Sequence, residues 1–63
     1  MHNNFSKLLG EKLIKISDVS KKTGISKTTL GNIYYQRADD FKYSTIKSIC
    51  DFFNIGIDDF FKK

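Results

Sequence analysis

Residues 18–35 read DVSKKTGISKTTLGNIYY, and this stretch decides the fold. It contains two short helix-like runs with Gly24 between them. Gly24 stands where a helix ends in a left-handed residue, a conformation that glycine adopts without strain. Ser26 is a favoured N-cap, and Leu30 and Ile33 lie on one face of the second run. The stretch therefore predicts two helices joined by a tight glycine turn.

The apolar residues before this stretch predict another helix, over about residues 4–13. They follow an i, i+3, i+4, i+8 spacing and form one stripe toward the core: Phe5, Leu8, Leu9 and Leu13. Asn3 or Asn4 is a suitable N-cap for this helix. The second helix then spans about Ile16–Lys22, and the third spans about Lys27–Tyr35.

Two further helices are predicted closer to the C-terminus. Ser44 is a suitable N-cap for the fourth helix, whose apolar stripe again has helical spacing: Ile46, Ile49, Cys50 and Phe53. This helix ends within Asn54–Gly56, and the fifth helix runs from Ile57 to about Phe61. We therefore predict an all-α fold, a compact bundle of five helices.

The length and composition restrict the protein to one small domain, residues 1–63. One cysteine, Cys50, and one histidine, His2, provide neither a disulfide nor a metal site within the chain. Stability must therefore come from helix packing, or partly from self-association. No apolar run approaches the roughly 18 residues of a membrane span, and the N-terminus lacks a signal-peptide pattern. We expect a soluble, cytoplasmic protein with no membrane partner.

The sequence indicates no enzyme. It contains no catalytic triad, no carboxylate pair with a partner base and no phosphate-cradling glycine loop. The acidic pairs Asp39-Asp40 and Asp58-Asp59 are typical of a turn and a helix start. Cys50 lies on an apolar stripe, which indicates a small buried hydrophobe and not a reactive thiolate. We expect no cofactor, no metal and no small-molecule ligand.

The positive charge lies in the N-terminal half of the chain. The formal net charge is +4, and residues 1–31 carry six lysines against Glu11 and Asp18, a surplus of four. Residues 32–63 balance five basic against five acidic side chains. A polyanion is a suitable partner for the N-terminal half. Lysines that only solvate helix faces are the alternative interpretation.

A helix, a glycine turn and a helix within roughly twenty residues form the helix-turn-helix arrangement, whose second helix enters the DNA major groove. Over residues 14–61 the chain resembles the phage-repressor and Cro-type helix-turn-helix family, the Xre-like bacterial regulators. Two segments carry the resemblance: ISDVSKKTGISKTTLGNIY, residues 16–34, and STIKSICDFFNIGIDDFF, residues 44–61. The resemblance implies a lambda-repressor-like domain that binds duplex DNA sequence-specifically and acts as a small, repressor-like transcriptional regulator.

Three positions depart from the pattern of that family. Ser20 stands where alanine is most frequent, and serine is small enough for two helices to cross closely. Ile16 stands where many members have a glutamine that braces a phosphate contact. The glycine that follows the recognition helix in the family is replaced within YYQRADD, residues 34–40.

The resemblance places the base-reading positions on Lys27, Thr28 and Asn32, with Gly31 beside them. Lysine can donate to guanine, threonine offers a hydroxyl and a methyl for thymine, and asparagine can bind adenine through two hydrogen bonds. Gly31 lowers helix stability by about 1 kcal/mol relative to alanine. The close approach of a base edge would explain why glycine stands here. For Lys27 and Asn32, a solvated helix face is the alternative.

Phosphate contacts are expected at small polar and basic residues around the recognition helix: Ser17, Ser26, Thr29, Arg37 and Lys42. The backbone amides at the start of the second and fourth helices would assist, because helix N-termini bind anions. Tyr34 and Tyr35 flank the groove. The alternative for at least one of these tyrosines is packing against the edge of the core.

The C-terminal segment contains more phenylalanine than a small core needs. Four phenylalanines fall within residues 52–61. We expect a homodimer on a two-fold DNA site, with an interface drawn from Phe52, Ile57, Phe60 and Phe61, of which one of the last two closes the core. Packing of all these residues within one core is the alternative.

Two other functions stay open at this point. One is a protein-binding module of the same fold, such as an antirepressor or an antitoxin-like partner, that uses the aromatic C-terminus. The other is a monomeric accessory factor that binds DNA without sequence preference.

Overall fold

The computed structural model describes residues 2–37 and 41–62, which leaves Asp39 and Asp40 outside the described residues. Within these ranges the chain forms five α-helices: α1 Phe5–Lys12, α2 Ile16–Thr23, α3 Lys27–Tyr34, α4 Tyr43–Phe53 and α5 Ile57–Phe61. The described part of the chain contains no strand. The predicted all-α class and the five-helix order are therefore confirmed.

One hydrophobic core joins the five helices, since α2 packs against both α3 and α4, and α1 and α5 close the two sides. The buried apolar side chains are Phe5, Leu9, Val19, Leu30, Ile33, Ile46, Ile49, Cys50, Phe53 and Phe60. The rings of Phe5 and Phe53 meet edge to face with centroids 6.3 Å apart, which fastens α1 to α4. Burial raises the pKa of the Cys50 thiol, so this cysteine is the small buried hydrophobe that its position predicts.

Helix α1 ends before Leu13, which the apolar stripe wrongly assigns to the core. Leu13 takes a left-handed conformation, with φ of 56°, and its side chain is 91% exposed. The N–H of Ile14 donates to the Leu9 carbonyl at 3.0 Å, which closes the helix end and turns the chain. Ile14 packs against the core in place of Leu13.

Helix α4 begins earlier than predicted, because Lys42 and not Ser44 occupies the N-cap position. The Lys42 carbonyl accepts the N–H groups of Thr45 and Ile46 at 3.1 and 3.2 Å, and this closes the first turn on Lys42. Ser44 therefore lies inside the helix. At the other end Asn54 adopts the left-handed conformation, with φ of 57°, and stops the helix where the sequence predicts.

Asn3 and Asn4 have different roles at the start of α1. Asn4 occupies the N-cap position, but it is Asn3 whose Oδ1 accepts the Phe5 N–H at 3.0 Å. Asn4 contacts α5 instead, since its N–H donates to the Phe60 carbonyl at 2.8 Å and its Nδ2 donates to the Asp59 carbonyl at 2.8 Å. The first residues of the chain are thereby attached to its last helix.

The described residues contain no group of three or more histidine, cysteine or acidic side chains that could hold a metal ion. Among the helices that the structure describes, none has both the length and the apolar character needed to cross a bilayer.

Candidate nucleic-acid interface

The turn between α2 and α3 is built as the sequence predicts. Gly24 ends α2 in the left-handed conformation, with φ of 79°, and its N–H donates to the Ser20 carbonyl at 2.9 Å. A side chain at Gly24 would meet no neighbour within 4 Å, so the backbone conformation, and not space, favours glycine here.

Two hydroxyl side chains of α2 fix the turn. The Ser20 hydroxyl donates to the Ile25 carbonyl at 2.6 Å. The Thr23 hydroxyl donates to the Val19 carbonyl at 2.7 Å and accepts the Ile25 N–H at 3.2 Å. From the sequence we inferred only that Ser20 is small enough for close helix crossing, and the hydrogen bond from Ser20 to Ile25 was missed. The available signal was a hydroxyl at a position where alanine is usual.

Ser26 caps α3 as predicted. Its Oγ accepts the Thr29 N–H at 3.2 Å, and its hydroxyl donates to Thr29 Oγ1 at 3.0 Å. In this arrangement the hydroxyl hydrogen of Thr29 is left to donate outward. Two of the three predicted phosphate-binding hydroxyls, those of Ser26 and Thr29, therefore lie together at the N-terminal end of α3.

The four predicted base-reading residues share one face of α3. Leu30 and Ile33 are fully buried and fix which face of the helix packs on the core. At about 100° per residue, the residues that point the other way are Lys27, Thr28, Gly31 and Asn32, which we call the outer face of α3. Lys27 and Thr28 are exposed, whereas Gly31 and Asn32 are half-buried.

Gly31 has no packing reason to be glycine in the described structure. A Cβ built at Gly31 meets nothing within 4 Å, so alanine would fit. Glycine inside a helix costs about 1 kcal/mol relative to alanine. The outer face of α3 is therefore open at its centre, where a side chain would otherwise stand.

A family model described as the Cro/C1-type helix-turn-helix DNA-binding domain matches residues 4–62. The chain belongs to this family. No curated protein and no solved structure is significantly similar to the chain. The resemblance carried by residues 16–34 and 44–61 is thus confirmed, and the match extends it through α1. The Cro/C1-type family consists of DNA-binding transcriptional regulators and is not an enzyme family, so double-stranded DNA is the partner of this domain.

The two helix N-termini that were predicted to assist phosphate binding differ in this Cro/C1-type domain. At the start of α2, beside Ser17, the Asp18 carboxylate accepts the Lys15 N–H at 3.1 Å and places a negative charge there. Helix α4 follows the cationic Lys42 and has no acidic residue in its first turn. The start of α4 is therefore the more favourable of the two for an anion.

The two tyrosines at the end of α3 have different surroundings. The ring of Tyr34 meets Phe5 edge to face with centroids 6.4 Å apart, so this tyrosine packs at the edge of the core. Tyr35 is 60% exposed, and the Arg37 guanidinium carbon lies 4.7 Å from the centre of its ring. The contact between Tyr35 and Arg37, a cation–π interaction, was not predicted from the sequence.

A partly buried network that was not predicted from the sequence closes the C-terminal end of α3. Asn3 is only 5% exposed, and its Nδ2 donates to the Ile33 carbonyl at 3.1 Å. Its N–H donates to Gln36 Oε1 at 3.1 Å, and Gln36 Nε2 returns a hydrogen bond to the Asn3 carbonyl at 3.1 Å. We call this reciprocal pair the Asn3–Gln36 clasp. One feature of the sequence could have indicated this network. The family's glycine after α3 is replaced, and Gln36 takes the left-handed conformation there, with φ of 59°.

The C-terminal phenylalanines separate into core and boundary residues. Phe60 is fully buried, so it is the one of the two C-terminal phenylalanines that closes the core, and it is not available to the predicted dimer interface. Phe60 points into the core because α5 packs on α4 through that side. The other three predicted interface residues are partly exposed and pack against the core, and we call these three together the C-terminal patch: Phe52, Ile57 and Phe61.

Proposed function

We propose that residues 1–63 act as one small, repressor-like regulator that reads a specific duplex sequence in the major groove and binds as a homodimer. The observation that carries the proposal is the outer face of α3. This face presents the charged Lys27, the Thr28 hydroxyl and the Asn32 amide around Gly31, where no side chain stands. The opposite face of the helix packs on the core. A rigid helix with free polar groups on one side is suited to reading base edges.

The three side chains on this face have complementary tasks. Lys27 would donate to guanine O6 or N7, and Asn32 would form two hydrogen bonds with an adenine. Thr28 would present its methyl group to thymine, and the absence of a side chain at Gly31 would let a base edge approach the helix backbone.

Contacts to phosphates would fix the position of α3 in the groove without reading sequence. Ser26 and Thr29 supply hydroxyls at one end of the helix, and the exposed Arg37 and Lys42 supply positive charge beyond the other end. Ser17 would act from the first turn of α2. The surplus of four positive charges in residues 1–31 supports attraction to the DNA backbone.

Two copies would provide the specificity that one short helix lacks. We propose that the C-terminal patch pairs with its counterpart in a second copy around a two-fold axis. The two α3 helices would then face half-sites about 34 Å apart, one turn of DNA. Because the patch contains only three partly buried apolar residues, the pairing is weak without DNA and is supported by the high effective concentration on a shared duplex.

Selection of bound sequences from a pool of random duplexes tests this proposal. The expected outcome is one enriched motif with two-fold symmetry, which the variants Lys27→Ala and Asn32→Ala no longer select. Binding without any enriched motif would identify a non-specific accessory factor. A chain that retains no duplex even at low salt would instead be a protein-binding module of this fold.

A further inference from the structure

The Asn3–Gln36 clasp lies where the chain leaves the recognition helix. Gln36 is a non-glycine residue in the left-handed conformation, which is uncommon for side chains with a Cβ, and backbone bonds at the end of α3 close the turn there. Asn3 adds a tertiary anchor, because its backbone exchanges hydrogen bonds of 3.1 Å in both directions with the side-chain amide of Gln36. Asn3 is buried and lies just outside residues 4–62, the range of the family match.

The clasp anchors the side chain of Gln36, the residue immediately before Arg37. The N–H of Arg37 donates to the Asn32 carbonyl at 2.9 Å, so this residue is also tied to the helix itself. Its guanidinium carbon lies 4.7 Å from the centre of the Tyr35 ring. Backbone and side chain of Arg37 are thus both held at the C-terminal end of α3.

A guanidinium that lies over an aromatic ring keeps its edge available for hydrogen bonds. The N–H groups of arginine radiate in the plane of the group, and that edge matches two oxygens of a phosphate. Holding the group before binding reduces the conformational freedom that is lost when the contact forms. The arrangement at the end of α3 therefore suits a preorganised phosphate contact.

We propose that Asn3 and Gln36 are positioning residues, which hold Arg37 ready for one DNA phosphate at the C-terminal end of α3. This inference depends on the proposed function, because it needs α3 to lie in the groove of a bound duplex. Asn3 and Gln36 do not themselves touch DNA in this arrangement. They act through the backbone of Gln36 and the direction in which Arg37 leaves it.

The test compares Gln36→Gly, Arg37→Ala and the double variant. Gln36→Gly removes the amide of the clasp but adopts the left-handed backbone without strain. Asn54→Gly is the matched control, since Asn54 is an exposed left-handed residue at the end of α4 that takes no part in the clasp. Circular dichroism melting identifies a temperature at which every variant is fully folded, and all binding is measured there.

Binding of the selected duplex is followed by fluorescence anisotropy over a series of salt concentrations. Losing one phosphate contact lowers the slope of log affinity against log salt by about 1. We expect this loss for Arg37→Ala and a comparable loss for Gln36→Gly. The double variant should bind as Arg37→Ala does, with no further loss, and Asn54→Gly should keep the parental slope.

Two results would overturn the inference. If Gln36→Gly keeps the parental slope while Arg37→Ala loses about 1, the clasp serves only the fold. If Arg37→Ala itself keeps the parental slope, Arg37 makes no phosphate contact and has nothing to be positioned for. In both cases selective binding by the parent chain leaves the proposed function intact, whereas a parent that binds no duplex ends both proposals.

A second variant keeps the test open if Gln36→Gly does not fold. Gln36→Asn tolerates the left-handed conformation, but its amide is one methylene shorter and cannot exchange both hydrogen bonds with Asn3. It should show the same loss of slope as Gln36→Gly. A folded Gln36→Asn variant with the parental slope would overturn the inference.

Discussion

The Ser20 hydroxyl donates a hydrogen bond of 2.6 Å to the carbonyl oxygen of Ile25. This bond joins α2 to the turn that precedes α3. Because the Ile25 N–H is also bound, by the Thr23 hydroxyl, both backbone polar groups of this residue are held by side chains of α2. The direction in which α3 leaves the turn is therefore set by two hydroxyls as well as by Gly24.

Replacing Ser20 with alanine should lower the free energy of unfolding by about 1 kcal/mol, because a half-buried hydrogen bond is lost. Urea denaturation followed by circular dichroism measures the change. Ser44→Ala, at an exposed serine in the first turn of α4, is the control and should change the free energy by less than about 0.5 kcal/mol. Equal urea midpoints for Ser20→Ala and the parent would contradict the importance of this bond.

Gly31→Ala should stabilise the fold and weaken DNA binding at the same time. Alanine gains about 1 kcal/mol of helix stability, and the structure leaves room for its methyl group. The same methyl would stand between the helix and an approaching base edge. Thermal melting and titration of the selected duplex measure the two effects.

Gly10→Ala provides the matched control for this prediction. Gly10 also lies inside a helix, α1, and a Cβ built there meets nothing within 4 Å. It should raise the melting temperature as Gly31→Ala does, with unchanged DNA affinity. If Gly31→Ala binds the selected duplex as tightly as the parent, no base edge approaches this glycine.

Lys27→Ala and Asn32→Ala should each weaken binding to the selected site by about 1 to 3 kcal/mol, with little change in melting temperature. Both side chains lie on the outer face of α3, where no core contact is lost. Lys62→Ala, at the end of α5, controls for the loss of a single charge. Parental affinity of both α3 variants at matched salt would exclude recognition through this face.

Leu30→Ala and Ile33→Ala should lower the free energy of unfolding by about 2 to 5 kcal/mol, because both side chains are fully buried. Such a loss is comparable to the whole stability of a small domain. Their DNA binding would then fail through unfolding. Unchanged denaturant midpoints would contradict the burial of these residues.

The C-terminal patch should affect assembly more than folding, because its side chains are only partly buried. Phe52→Ser should reduce binding to a duplex with both half-sites, and inserting five base pairs between the half-sites should do the same by turning one site to the opposite side of the helix. Phe60→Ser is the contrasting variant, because this fully buried side chain should be needed for folding. Sedimentation that finds one protein per duplex, with both changes harmless, would contradict the dimer.

The helix-turn-helix could be predicted because its signals are local. Gly24 and Ser26 mark a helix end and a helix start by their own conformational preferences, and Leu30 and Ile33 give the buried face by spacing alone. Leu13 shows the limit of that reasoning. It continues the apolar spacing of α1, but Leu13 itself adopts the left-handed conformation that ends the helix. The spacing alone does not indicate this change in chain direction.

The parts of the site that depend on distant residues could not be predicted in the same way. Asn3 and Gln36 are 33 residues apart, and neither residue indicates its partner until the helices are packed. Phe60 and Phe61 posed a different difficulty, since α5 has only 5 residues and too few apolar positions to define its buried side. Packing on α4 decides between them.

The hydrogen bond between Asn4 and α5 determines when, during synthesis, the core can be closed. Asn4 leaves the ribosome before Asp59, whose carbonyl it binds and which lies 55 residues later in the chain. Helices α1 to α4 can form while synthesis continues, but α1 has no C-terminal partner until α5 has emerged. The nascent chain therefore carries an uncovered side of its core until α5 arrives, and this late contact, more than helix formation, closes the core.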